Sequence, residues 1–227
     1  YDFNRMIDQG RTQLPFVSGY SGVGKTAFVR WLYEPLAKER GFFLAGKFEQ
    51  FRRDVPFAPF AQAFQELVQY LLTESEEQIS SWKTALTEAL GDGLALIAQA
   101  VPKIELLVGP QPEPPEFSFL DTKERFKIVF RKFIEVFARR EHPVVLFLDD
   151  LQWADVDALQ LLRGLLDEGQ GLHLLIICAF RDNEMSSDDL YKQIADGIPR
   201  DGATIQEIVL PPLMPDELNQ LIADTLH

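Results

Sequence analysis

Apolar residues along the 227-residue chain fall into unbroken runs and into stripes at helical spacing. The runs at 14–18, 144–148 and 172–180 hold few polar positions, as strands buried on both faces require. Segments 42–48 and 204–210 read as two more strands. After the first strand, residues 26–40 carry Ala27, Trp31, Leu32 and Leu36 along one helix face. Residues 57–108 look helical, with Phe60, Phe64, Leu67, Val68, Leu71 and Leu72 on a buried stripe. The polar stretch 73–78 reads as a solvated turn, followed by helical pieces at 79–90 and 94–101. Asp121-Thr122-Lys123-Glu124 resembles a capping box, and the helix after it carries Phe126, Val129, Phe130, Phe133, Ile134 and Phe137. Further helices are expected at 155–166, at 187–196 and from Pro215, while residues 1–10 read as the tail of another, closed by Gly10.

Strand and helix alternate through this pattern. Right-handed crossovers then build an α/β fold around a doubly wound parallel sheet of five strands. Pro15 lacks a ladder donor and is expected at the first residue of its strand. Gly109-Pro110-Gln111-Pro112-Glu113-Pro114-Pro115 reads as a stiff, extended connector. We read residues 1–227 as one domain, with a helical insert at about 52–120 after the second strand.

Composition narrows the function. There are 22 Lys and Arg against 35 Asp and Glu, a net charge of −13. Phosphate backbones are gripped by clustered basic residues, so a nucleic-acid-binding body is disfavoured. No apolar run approaches the ~20 residues that span a bilayer, and no cleavable signal opens the chain. The single Cys178 cannot form an internal disulfide, so a cytoplasmic protein is expected. The chain opens with Tyr1 rather than Met, as a segment of a longer polypeptide would.

The chemistry starts at Gly19-Tyr20-Ser21-Gly22-Val23-Gly24-Lys25-Thr26, which satisfies G-x-x-x-x-G-K-[ST] at every fixed position. Glycines let backbone N–H groups turn toward phosphate oxygens, and the helix that follows points its positive end at the same anion. Lys25 is placed to set its ammonium between β- and γ-phosphates, and Thr26 to offer a hydroxyl to Mg²⁺. Val144-Val145-Leu146-Phe147-Leu148-Asp149-Asp150 puts two carboxylates at the carboxyl end of a strand, where open α/β sheets bind ligands. Asp149 is the candidate metal ligand and Asp150 the candidate for polarising water, the bland alternative being that both cap the turn that follows. Arg181, after the strand at 172–180, either reads the γ-phosphate or pairs with those acids. Asp155, Asp157 and Trp153 are expected to cap and pack, and His142 and His173 read as structural.

Together with Phe147-Leu148-Asp149-Asp150-Leu151-Gln152-Trp153-Ala154-Asp155 and Ala179-Phe180-Arg181-Asp182-Asn183-Glu184, the glycine loop resembles the AAA+/STAND-type ATPase domain. That domain sits inside large bacterial, notably cyanobacterial, signalling kinases, between a serine/threonine kinase domain and GAF and histidine-kinase modules. Gly46-Lys47-Phe48-Glu49-Gln50-Phe51 and Leu210-Pro211-Pro212-Leu213 are similar to the same group. The resemblance implies strand order 5-1-4-3-2, the start of a C-terminal lid at about 215–227, and an ATP- and Mg²⁺-dependent regulatory switch. It implies nucleotide binding by Gly19, Tyr20, Ser21, Gly22, Val23, Gly24, Lys25, Thr26 and Ala27, and metal binding by Thr26 and Asp149. Lys25, Asp150 and Arg181 take the catalytic roles. Neighbouring kinase and sensor domains, ATP or ADP, and a second copy of the chain are the implied partners. The family's segment that seats the base would precede Tyr1 and its lid would follow His227, so weak nucleotide binding by this stretch alone is implied. A non-hydrolysing scaffold that uses the insert as a partner surface is the alternative.

Overall fold

The computed structural model describes residues 12–50, 57–114, 119–167, 172–185, 205–212, 214 and 223. Five strands, β1 (Leu14–Ser18), β2 (Phe42–Lys47), β3 (Val144–Asp149), β4 (Leu174–Phe180) and β5 (Ile205–Val209), form one sheet in the order β2-β3-β4-β1-β5. Every pairing is parallel, and the order is the expected 5-1-4-3-2 seen from the other edge. The helices are α1 (Lys25–Arg40), α2 (Ala58–Leu71), α3 (Glu76–Leu90), α4 (Leu94–Ala100), α5 (Glu105–Val108), α6 (Phe119–Phe137) and α7 (Val156–Asp167). Four of them, α2 to α5, lie between β2 and the α6–β3 unit and form the helical insert.

The period of two along each strand decides which layer each side chain enters. Val17, Val145, Phe147, Leu175, Ile177 and Ala179 face α1 and pack on its Val29, Tyr33 and Ala37. Their neighbours Phe16, Leu146, Leu148, Ile176, Cys178 and Phe180 face the opposite layer, built from α2, α6, α7 and the insert. Phe64 of α2 anchors that layer, its ring 5.0 Å from Phe133 and 5.4 Å from Phe130. Burial raises the Cys178 thiol pKa far above its ordinary value, making it an inert core residue. Gly46 lets the insert dock, because a Cβ there would sit 2.1 Å from the Pro59 carbonyl oxygen.

Four expectations are corrected. Val29, Tyr33 and Ala37 of α1 are buried against the sheet, while Trp31 is 77% exposed, because Tyr33 and not Trp31 lies over the sheet. Helix α3 begins at Glu76, inside the stretch read as a turn, since Ser75 and Gln78 close a reciprocal capping box. Helix α6 already starts at Phe119, so Asp121-Thr122-Lys123-Glu124 lies within it. Pro15 is the second residue of β1, not the first. Gln13 directs both its N–H and its C=O to β4, through Leu174 and Ile176. Two residues on, Pro15 faces the same neighbour with no donor, and the ladder to β4 resumes only at Phe16–Cys178.

Segments 1–10 and 187–196, and 215–227 except Ala223, lie outside the described residues. Among the described residues no helix is long and apolar enough to cross a membrane.

Candidate functional site

Strand β1 ends at Ser18 and α1 starts at Lys25, so the glycine loop spans the gap between them. Gly22 (φ 79°) and Gly24 (φ 100°) adopt left-handed backbone that L side chains avoid, although space for a Cβ exists at both. Conformation, not crowding, requires glycine there. Gly24 is the N-cap of α1, and neither a side-chain cap nor an acidic residue occupies the first turn. The first N–H groups of a 16-residue helix are thereby left to an external anion.

Lys25 is buried at the root of the loop, its Nζ donating to the carbonyl oxygens of Gly19 at 2.7 Å and Tyr20 at 2.9 Å. Burial lowers its pKa, and the charges of Asp149 and Asp150 oppose that shift. Thr26 stands one residue further along α1 and donates its hydroxyl to Asp149 Oδ2 at 2.6 Å. The other oxygen, Asp149 Oδ1, accepts the backbone N–H of Asp150 at 2.9 Å. A hydroxyl and a carboxylate side by side, both hard oxygen donors, fit a Mg²⁺ ion.

Asp150 occupies a left-handed backbone conformation (φ 54°, ψ 46°) at the tip of β3. Its Oδ2 lies 3.0 Å from Lys47 Nζ, and its Oδ1 takes both Gln152 Nε2 at 3.0 Å and Arg181 Nε at 3.3 Å. Burial pushes the Asp150 pKa up, but the hydrogen bonds from Gln152 and Lys47 and the Arg181 charge outweigh it and leave it below the ordinary value. The same contact raises Lys47. Arg181 also donates from a terminal nitrogen to Glu184 Oε1 at 2.7 Å, and that bond raises its pKa. Of the two readings open for Arg181, the geometry observed is pairing with an acid. Asp155 caps the next helix as expected, its Oδ1 accepting the N–H of Ala158 at 2.7 Å.

Lys47 and Gln152 were given no role by their sequence context. Lys47 closes β2 and stands in register with Asp149, a neighbour relation that only strand pairing creates. Among the described residues, no cluster of His, Cys, Asp and Glu suits a bound metal on its own. The oxygen pair of Thr26 and Asp149 would need ligands from a bound nucleotide or water.

The AAA ATPase domain profile matches residues 3–177, more than half of the chain. The chain belongs to the AAA ATPase domain family. The matched span contains the glycine loop and both acids, while Arg181 and β5 lie beyond it. Hybrid signal transduction histidine kinase G of Dictyostelium discoideum is 31% identical over 163 residues, covering 72% of this chain and 5% of that protein. Histidine protein kinase 1 of Candida albicans is 26% identical over 168 residues, covering 68% of this chain and 7% of that protein. The chain therefore spans less than a tenth of either relative. The Walker-type ATPase of Pyrococcus abyssi aligns with a TM-score of 0.41 at 14% identity, over 99% of this chain and 58% of that one.

Proposed function

We propose that this AAA ATPase domain binds ATP with Mg²⁺ and hydrolyses it as the regulatory module of a larger signalling kinase, in the manner of STAND-type switches. The contact that carries the reading is Thr26 Oγ1 to Asp149 Oδ2 at 2.6 Å, beside the glycine loop. Loop amides from Gly19 to Ala27 would hold the phosphates, and Lys25 would turn from the Gly19 and Tyr20 carbonyls to neutralise them. Thr26 and Asp149 would hold Mg²⁺, which when bound supplies charge neutralisation across the terminal phosphates. Asp150 is held anionic and would orient water for in-line attack on the γ-phosphate. Arg181 would exchange its acid partners for the γ-phosphate.

Kinase and sensor domains of the same polypeptide are the proposed partners, with self-association as the means of passing on nucleotide state. The two relatives above are both histidine kinases by name, which supports that setting. A bacterial parentage rests on the resemblance alone, because those relatives are eukaryotic. A cytoplasmic location and the absence of nucleic-acid partners remain part of the proposal, the latter supported by the net charge of −13.

One observation favours a second reading, a nucleotide-dependent scaffold without turnover. Both Asp150 oxygens are already engaged, by Lys47 on one side and by Gln152 and Arg181 on the other. Phosphate release by the full-length protein, with and without Asp150→Asn, tests the two. Turnover that collapses in the variant supports the ATPase. Binding of ATP with no turnover in either protein supports the scaffold.

A further inference from the structure

Gln152 lies in the short 3-10 turn Leu151–Trp153 that follows the tip of β3, and it is buried. Its amide is used at both ends with opposite polarity. The Nε2 group donates to Asp150 Oδ1 at 3.0 Å, and Oε1 accepts the backbone N–H of Arg181 at 3.3 Å. The second contact joins residues 29 apart in sequence. It is possible because β3 and β4 are adjacent parallel strands whose tips end side by side. Arg181 Nε reaches the same Asp150 Oδ1 at 3.3 Å, so the three residues close a ring.

We propose that Gln152 is a positioning residue that ties the Asp150 carboxylate to the strand tip bearing Arg181, so that the acid keeps its pose when the arginine side chain leaves it. This rests on the roles proposed above for Asp150 and Arg181. The tie to Arg181 runs through its peptide N–H, which stays in place whatever the guanidinium contacts. The guanidinium is shared between Asp150 and Glu184 and is partly exposed, so it can exchange partners. When it turns to a phosphate, Asp150 Oδ1 loses a cationic partner but keeps the Gln152 donor. Asp150 also sits in the left-handed region, which aspartate tolerates better than most side chains, and this turn directs its carboxylate toward the Gln152 amide. A neutral amide suits the post, because a carboxylate in its place would repel Asp150 and lose the donor.

The test uses the full-length protein with Gln152→Leu, which removes both polar ends, and Gln152→Glu, which keeps the shape and loses the donor. Thermal melting establishes that each variant folds, and the isosteric Glu variant serves if the Leu variant does not. Steady-state phosphate release should show kcat lower by about 10- to 100-fold, with a far smaller change in the KM for ATP, as loss of positioning predicts. In the Arg181→Ala background the Gln152 substitutions should cost at least as much as they do alone, since the peptide N–H of residue 181 remains and Gln152 is then the donor left on Asp150 Oδ1. The ratio of ATP to ADP affinity, read by titration, should fall in the single variants whether or not hydrolysis occurs. Unchanged kcat together with an unchanged affinity ratio overturns the proposal. A raised KM at constant kcat also overturns it, because Gln152 would then serve nucleotide binding alone. A wild-type protein that binds ATP without releasing phosphate refutes the ATPase reading, and the affinity ratio still decides the role of Gln152.

Discussion

The two halves of the candidate site are built in opposite ways. The glycine loop is eight consecutive residues, mostly open to solvent between the buried Gly19 and Lys25, whose shape depends on backbone torsions at Gly22 and Gly24. The acid centre is a knot of side chains drawn from β2, the β3 tip and the β4 tip, where Lys47, Gln152 and Arg181 converge on the buried Asp150. The Thr26–Asp149 hydrogen bond joins them, across 123 residues of sequence. A local device of this kind tolerates change elsewhere in the fold, whereas a convergent one depends on strand register. Nucleotide binding should therefore be lost through the loop and turnover through the knot.

The largest effect should come from Lys25→Ala, which removes the charge aimed at the phosphates. Turnover should fall by roughly 10²- to 10³-fold, measured as phosphate release, with little change in melting temperature. Gly24→Val attacks the loop through its backbone. Forcing a β-branched residue to φ 100° should cost about 1–2 kcal/mol in denaturant unfolding and weaken nucleotide binding in a titration. Ser75→Ala is a control remote from both halves. Loss of its capping box should cost about 1 kcal/mol of stability while ATP affinity stays at the wild-type value.

The smallest effect concerns pH and the knot alone. Asp150 has a lowered pKa in the fold, so its contribution to stability is present above its ordinary value of 3.8 and is lost as pH falls through the lower folded value. Lys47 has a raised pKa, so its contribution is present below 10.5 and is lost as pH rises through the higher folded value. Lys47→Met should flatten the alkaline loss and bring the acid loss to higher pH in nucleotide-free melting curves. Curves that superimpose on the wild type at both ends would show that the Lys47–Asp150 pair contributes nothing to folding. Exposure of the Lys47 side chain keeps the expected size small.

Legibility in the sequence followed the same division. The glycine loop and the carboxylates closing the Val144–Asp149 run could be read directly, because each is contiguous and its chemistry requires particular residue types at fixed spacing. The inner strands β1, β3 and β4 could be read as well, since parallel strands buried on both faces must be apolar throughout, and the edge strands β2 and β5 followed from shorter apolar segments. Ala27 and Trp31 fit helical spacing as well as Val29, Tyr33 and Ala37 do, yet both are exposed, because only the sheet beneath selects which residues are covered. Ser75 and Gln78 did carry a capping signature, obscured by the acidic residues around it. Lys47 and Gln152 carried no local signal, because what they do depends on residues 103 and 29 positions away in Asp150 and Arg181.

The order of residues alone determined a P-loop, an acid-tipped strand and an alternating α/β chain, because torsional freedom, charge and apolar periodicity are properties of neighbouring residues. Only the folded sheet decided that Thr26 meets Asp149, that Asp150 is held by three partners, and that Arg181 rests on an acid. Those relations depend on which strands lie side by side and in what register, and strand order is settled by how the helices cover the sheet rather than by any short stretch of sequence.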